Sequence, residues 1–313
     1  MPDASIVIVT RNQREKLKRA VESALSQTGD IEVLVIDDAS TDDTVEMLRK
    51  AFPTLQVHAR QKREGYIVQR NLGARLATGP IIFSIDDDAF YVDPDVVRDT
   101  LKLFDVPNVG AATIPHYNMF PGEADRLMSP EAPPDQAYVT NTFIGTAYAL
   151  RRDVFLDLGG FQEALFHWGE ETEFTQRLLS SGYFVRVGTR ARIHHFPAAI
   201  GKFTTSSNRY IYRNRMLTVW LNAPTLYLIP LLFLRSAVAI KDVFVRAGSR
   251  VAACQGLLMG WGTVVKYFGR RKPVSLRSFR LWLLLRKRRM VPMAEVAEAA
   301  AQGAVRGKAL RNA

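Results

Sequence analysis

Pro80-Ile81-Ile82-Phe83-Ser84-Ile85-Asp86-Asp87-Asp88 decides the fold of this chain. The apolar run, bounded upstream by the turn pair Gly79-Pro80, reads as a buried β-strand. It ends in three adjacent carboxylates, which repel one another and resist burial. A solvated acidic turn is the plain reading; a divalent cation resolves the conflict more directly. Oxygen ligands of this kind suit Mg²⁺ or Mn²⁺, which keep open positions for phosphate oxygens. In open α/β sheets, ligands bind beyond the carboxyl ends of the strands, where this cluster falls.

Upstream, Ser5-Ile6-Val7-Ile8-Val9 is a β-branched run expected to be a buried parallel strand. Leu17, Ala20, Val21, Ala24 and Leu25 recur at helical spacing, with Gly29 as a stop. Ile31–Ile36 gives a second strand ending at Asp37-Asp38, and Thr41 or Asp42 can cap a helix over about 43–51. Leu55–Ala59 reads as a third strand, followed by a helix from about Ile67 to Ala77. Strands alternating with helices imply βαβ units and an α/β, Rossmann-like, mostly parallel sheet.

Past Pro107 the pattern changes. Val109–Ile114 reads as a strand and Pro115–Pro134 as a proline-rich loop. Thr140–Leu150 is apolar and small, and Arg151-Arg152-Asp153 reads as a polar turn. Gly159-Gly160-Phe161 marks another turn, Glu171–Ser180 a helix with Phe174, Leu178 and Leu179 inward, and Tyr183–Val187 and Arg190–His195 two short strands.

Of the 313 residues, 47% are hydrophobic and 23% charged, a globular composition. Cys254 is the only cysteine, which rules out an intrachain disulfide. The N-terminal MPDASIVIV lacks the basic and apolar regions of a signal peptide, and none is expected. The net charge of +11 is divided unevenly: residues 1–200 hold 21 Lys/Arg and 28 Asp/Glu (−7), residues 201–313 hold 21 and 3 (+18). Such a split suggests a soluble domain joined to a basic appendage that meets an anionic surface. No zinc-ligand spacing or RNA-binding aromatic signature favours nucleic acid, and none is expected as a partner.

Met216–Leu234 is an uncharged stretch close to spanning length, weakened by Asn222, Pro224 and Pro230. Val251–Val265 is uncharged but shorter. A hairpin through the bilayer would place Arg235, Lys241, Arg246 and Arg250 outside, against the positive-inside tendency. Leu281–Leu285 abuts Arg286-Lys287-Arg288-Arg289. Helices lying in an anionic interface fit this pattern; a helical subdomain packed on the domain before it is the alternative. From Ala294 onward the sequence suggests a short helix with a frayed basic end. The expected division is 1–205, in halves of about 1–110 and 110–205, and a helical, basic region 206–313.

Four segments fall where an α/β sheet places its ligand: Thr10-Arg11-Asn12, Asp37-Asp38-Ala39-Ser40, Asp86-Asp87-Asp88 and Trp168-Gly169-Glu170-Glu171. Singly each is weak, since Asp and Ser cap helices and Glu complements a helix N-terminus. Their order is more specific. SIVIVTRN (5–12), VLVIDDASTDDT (33–44), GYIVQRNLGARLATG (65–79), FSIDDDA (83–89), GGF (159–161) and WGEETEF (168–174) together resemble the inverting family 2 glycosyltransferases with a GT-A fold. The resemblance covers about residues 4–200 and includes Asn71 and Gly73. Arg213-Asn214 and the basic-apolar tail resemble membrane-associated members of that family.

The resemblance implies a nucleotide-sugar donor bound by Thr10, Arg11, Asp37, Asp38, Asn71, Asp86 and Asp87. Asp86 and Asp88 match the ends of a DxD motif, the first near ribose or sugar, the second on a metal bridging the diphosphate. Glu171, or Glu170 beside it, matches the general base. His195 matches a histidine beyond the acidic helix, with His194 an adjacent competitor, and is expected to face metal or phosphate. The implied function is metal-dependent, inverting transfer of a sugar to a hydroxyl of a lipid-linked or polysaccharide glycan intermediate, at the cytoplasmic face of a membrane. A nucleotidyltransferase is a rival, although Thr10-Arg11-Asn12-Gln13 lacks the glycines of its phosphate loop. A non-catalytic sugar- or lipid-binding scaffold is the other. Donor sugar, nucleotide, linkage and oligomeric state are not legible.

Overall fold

The computed structural model describes residues 1–120, 122–190, 192–197, 205–245 and 250–301, except the side chains of 205–207 and 298–301. The first half winds as β1 (Ala4–Thr10), α1 (Arg14–Leu25), β2 (Ile31–Asp37), α2 (Thr44–Ala51), β3 (Gln56–Ala59), α3 (Tyr66–Leu76) and β4 (Ile81–Asp86). β1 is hydrogen-bonded on one side to β2 and on the other to β4, both parallel. The chain therefore moves outward through β2 and β3, returns across β1, and leaves a crevice at the carboxyl ends of β1 and β4. Val9 pairs with Asp86 and Thr10 with Asp37, so three strands finish level at that crevice.

α3 lies close on the sheet because of Gly73, where a Cβ would come within 2.3 Å of Val7 Cγ1. Ile6, Ile8, Leu34, Ile36, Phe83 and Ile85 are fully buried, as the β-branched runs require.

Next come β5 (Ala89–Tyr91), α4 (Val96–Leu101), β6 (Val109–Thr113), β7 (His116–Asn118), β8 (Arg126–Leu127), β9 (Tyr138–Thr140), β10 (Ala147–Arg151), α5 (Arg152–Asp157), α6 (Glu170–Ser180), β11 (Phe184–Arg186) and β12 (Ile193–His195). β10 runs antiparallel between β4 and β6, so the sheet is parallel through β1–β4 and mixed beyond. The stretch 115–134 is not all loop, because it holds β7 and β8. The turn expected at 151–153 instead starts α5. A second, small sheet in the order β5-β12-β7-β8 stands next to the triple Asp. It pairs His195 with Ala89 on one side and Asn118 on the other.

The tail forms α7 (Thr205–Asn222), α8 (Thr225–Val245), α9 (Arg250–Lys266), α10 (Leu276–Arg288), β13 (Val291–Pro292) and α11 (Met293–Ala301). The uncharged stretch 216–234 is not one helix: it breaks at Ala223-Pro224, where proline disfavours helical continuation. Its first part is core, with Met216, Leu217 and Leu221 buried. No helix among the described residues is long and apolar enough to cross a membrane. The expected boundary after residue 205 falls at the first residue of α7, yet α7 and α10 share the hydrophobic core of the α/β unit. β13 pairs with β9 and extends the nine-stranded sheet β13-β9-β11-β6-β10-β4-β1-β2-β3. Arg246 and the basic end beyond residue 301 lie outside the described residues.

Candidate active site

The triple Asp is divided among three environments. Asp87 accepts a 2.7 Å hydrogen bond from Thr10 Oγ1, tying the ends of β1 and β4 together. Burial pushes its pKa up to about 7 against that bond, and the neighbouring carboxylates add repulsion. Asp86 accepts from Arg70 Nη2 at 2.8 Å. Burial still holds its pKa above the usual carboxylate range, with Arg70 opposing. Asp88 would also be raised by burial, but His195 and Lys16 outweigh this and hold it below its ordinary value. Lys16 Nζ stands 3.4 Å from Asp88 and donates to the Phe196 carbonyl at 2.7 Å.

Asp86, Asp88 and His195 each offer a ligand atom, all within 4.8 Å of one another. His195 Nε2 is 3.1 Å from Asp88 Oδ1, and Nδ1 is 2.7 Å from Asn118 Oδ1. With Asn118 Oδ1 accepting a hydrogen bond from Nδ1–H, Nε2 is left as the ligating nitrogen, the arrangement by which outer partners orient metal-binding histidines. Two carboxylate oxygens and an imidazole fit Mn²⁺ well and Mg²⁺ adequately. His194 instead packs edge-on against Phe90, so His195 is the histidine at the site.

The second-strand carboxylates are buried in turn geometry. Asp37 accepts from Ser40 N at 2.9 Å and from the Ser40 hydroxyl. Asp38 accepts from Glu64 N at 2.8 Å, Gly65 N at 2.9 Å and Gln69 Nε2 at 2.7 Å, fixing the start of α3. Arg11 gives its backbone N–H to Asp87, and its buried Nε has no protein partner among the described residues. Asn71 bonds to the segment 161–163 and to none of the triple Asp. Its amide donates to Phe161 O at 2.9 Å and Glu163 Oε1 at 3.1 Å and accepts from Phe161 N at 2.8 Å. It anchors the Gly159-Gly160-Phe161 turn, where a Cβ on Gly160 would meet Asn71 Oδ1 at 2.8 Å.

The acid pair opens α6. Glu170 is fully buried, held by Arg70 Nη1 at 3.0 Å and the Tyr66 hydroxyl at 3.2 Å. Glu171 is partly open. Its carboxyl lies over Gly145, where a Cβ would come within 2.5 Å of Oε1. Burial pushes its pKa up to about 8, the Glu170 charge adds to this, and Arg70 opposes it. The Arg70 guanidinium thus joins Asp86 to Glu170, with a third bond to the Gly145 carbonyl at 2.8 Å.

The loop that delivers α6 is strained, with Phe166 at φ 60° and Trp168 at φ 71°. Asn214 of α7 holds it: Nδ2 donates to the carbonyls of Leu165, His167 and Trp168 at 2.9, 2.7 and 2.6 Å. Arg70, Asn118 and this use of Asn214 were not read from the sequence. Arg70 had a signal, because it lies three residues after Ile67 and four before Ala74, both buried positions of α3. A charge on an apolar helical stripe implies a buried partner. Asn118 had none, since only the β7–β12 pairing brings it near.

Residues 5–159 match the model of glycosyl transferase family 2, and residues 126–205 that of the N-terminal domain of galactosyltransferase. The succinoglycan biosynthesis protein ExoU of Rhizobium meliloti (strain 1021) is 28% identical over 198 residues, 58% of this chain and 58% of that protein. Chondroitin synthase of Escherichia coli is 38% identical over 110 residues, 33% of this chain and 16% of that protein. The chain therefore spans little more than half, or less, of these relatives. Among solved structures, the mannosyltransferase PcManGT of Pyrobaculum calidifontis, in complex with GDP-Man and Mn²⁺, superposes with a TM-score of 0.54 at 19% identity, covering 90% of this chain and 79% of that one. TarS 1-349 of S. aureus, in complex with UDP, gives 0.56 at 17% identity, covering 90% and 78%. Residues 5–159 of this chain are a glycosyl transferase family 2 domain, built on a GT-A fold.

Proposed function

We propose that the chain is a metal-dependent, inverting glycosyltransferase that moves a sugar from a nucleotide-sugar to a hydroxyl of a lipid-linked or polysaccharide glycan intermediate. The observation that carries this reading is the Asp86, Asp88 and His195 cluster at the strand ends, joined through Arg70 to the acid pair of α6. Asp88, His195 and Asp86 would hold Mn²⁺ or Mg²⁺. The bound ion would supply Lewis-acid stabilisation of the departing diphosphate. Thr10 and Asp87 lock the base of the donor pocket. Glu171, the more open of the pair, takes the acceptor's proton, while Glu170, pinned by Arg70 and Tyr66, fixes the helix end and keeps a negative charge beside it. One base acting in a single displacement inverts the anomeric centre.

Membrane association rests on α8 and α9. Leu226, Ile229, Phe233, Ile240 and Phe244 form one exposed apolar stripe along α8, with Phe233 69% and Phe244 75% exposed. Leu258, Trp261 and Val265 are likewise exposed on α9. Flanked by the cationic tail, this face suits an anionic lipid interface, here taken as the cytoplasmic leaflet.

The test is a thermal shift with UDP and GDP, with and without Mn²⁺. Ligand binding to the native state raises its melting temperature. A shift that needs Mn²⁺ and disappears in Asp88→Asn is expected, together with nucleotide-sugar turnover abolished by a chelator. Full turnover in exhaustively metal-free protein would exclude the metal assignment.

A further inference from the structure

A cavity of about 310 Å³ opens between α7, α9 and the loop at Phe166, lined by Phe166, Tyr210, Arg213, Gly262, Thr263 and Lys266 among others. Its charged groups, Arg213 and Lys266, are both cationic, and no carboxylate among the described residues lines it. The Arg213 guanidinium is held in place: Nε donates to Thr263 Oγ1 at 3.2 Å, and Nη1 to Leu165 O at 3.1 Å and Asn214 Oδ1 at 2.8 Å. Its Nη2 has no partner among the described residues. Burial without a carboxylate pulls the Arg213 pKa down, the condition that an incoming anion relieves. A fixed guanidinium and an exposed ammonium together are suited to phosphate oxygens.

The second observation is what borders the cavity. On α9 the residues beside Gly262, Thr263 and Lys266 form an exposed apolar stripe of Leu258, Trp261 and Val265. A ligand with an anionic head and an apolar chain satisfies both surfaces, whereas a free anion leaves the stripe exposed. The loop carrying Phe166 runs on through Gly169 into Glu170 and Glu171. A head group seated here therefore lies against the segment that positions the acid pair.

We propose that this cavity seats the phosphate head group of a lipid-linked acceptor, with its chain lying along the apolar stripe of α9. This rests on the glycosyltransferase reading above.

The probe is dodecyl phosphate, titrated calorimetrically below its micelle concentration into the full chain, beside inorganic phosphate and dodecanol. Gly262→Leu plugs the cavity: an added Cβ meets nothing within 4 Å, so the helix accepts it without a clash. Lys266→Gln removes one charge at an exposed position and serves as the second variant. Dodecyl phosphate should bind the parent at least tenfold more tightly than inorganic phosphate or dodecanol, and each variant should lose at least tenfold. Inorganic phosphate binding as tightly as dodecyl phosphate would make this a free-anion site and overturn the lipid assignment. Undiminished binding by both variants would show the probe adhering to the apolar face, which overturns the cavity assignment. The Mn²⁺-dependent UDP or GDP shift of the parent is read separately. Its absence alongside dodecyl phosphate binding would sink the glycosyltransferase reading and leave the cavity as an amphiphile site.

Discussion

Arg70 connects the two halves of the candidate site, and its chemistry makes it hard to replace. It is buried, bonded to Asp86 and Glu170 through separate nitrogens, and lies 4.8 Å from the Tyr66 ring centre. Lysine cannot reproduce that fork. Arg70→Met leaves the buried Glu170 and the half-buried Asp86 without their cation, a change worth about 3–5 kcal/mol when one partner of a buried pair such as Arg70–Glu170 is removed. Denaturant unfolding should show that loss, with Arg70→Lys recovering only part of it; an unchanged midpoint would mean the bridge does not contribute. The acid pair sets a pH dependence whose sign follows from burial. Glu171 has a folded pKa of about 8 against an ordinary value of 4.5. Its ionised form acts as the base, so turnover should rise with pH through about 8. Because the folded state holds this proton more tightly than the unfolded chain, Glu171 favours folding below about 4.5, and this contribution is lost as pH rises through 8. Glu170→Gln removes the adjacent charge and should move the acidic limb of kcat to lower pH. Glu171→Gln should cut kcat by about 10²–10⁴-fold while leaving Mn²⁺-dependent nucleotide binding intact. The opposite pattern would exchange the two roles.

At the scale of elements, what makes α8 distinctive is its exposed face. Leu226, Ile229, Phe233, Ile240 and Phe244 recur at helical spacing, and no described residue covers them. Phe233→Glu and Phe244→Glu should each weaken cosedimentation with phosphatidylglycerol vesicles by roughly 10–100-fold, given about 1.5–3 kcal/mol for burying such a side chain. Binding of either variant equal to the parent's would remove α8 from the interface. The same scale explains what was legible in the sequence. β1, β2 and β4 are β-branched runs buried on both faces, and such runs announce themselves. The short pieces do not: His116-Tyr117-Asn118 is a strand only because β12, far along the chain, pairs with it. The acidic turn after β4 pointed to the site from composition alone, whereas Asn118 and the hold of Asn214 on the α6 loop exist only through tertiary contact. In the stretch 216–234, Asn222, Pro224 and Pro230 signalled the break, but hydropathy cannot distinguish a buried helix from an interfacial one; its first part is core and much of its second faces outward.

For the whole molecule, the charge division of −7 before residue 201 and +18 after it suggests two separable parts, but the packing joins them. Leu217, Trp220 and Leu221 of α7 and Phe279, Trp282 and Leu285 of α10 are buried in the core that also contains β1 and β4. Trp282 Nε1 donates to the Asn141 carbonyl at 3.1 Å, and Asn222 Nδ2 to Glu173 O at 2.9 Å, so the tail also satisfies polar groups of the α/β unit. β13 covers the edge of β9, which would otherwise expose unpaired backbone groups. Each large side chain withdrawn from the core forfeits about 1.5–3 kcal/mol. Six of them together approach or exceed the roughly 5–15 kcal/mol by which ordinary domains are stable. Deleting residues 206–313 should therefore not release a soluble catalytic domain: it should abolish the cooperative melting transition and leave aggregated protein. Cutting after Ala301 should leave the melting temperature unchanged, because every one of these contacts lies before it, and should weaken binding to anionic vesicles through the loss of Arg306, Lys308 and Arg311. A soluble, two-state 1–205 fragment that binds UDP or GDP with Mn²⁺ would show instead that the basic region is an appendage and that the shared core is dispensable.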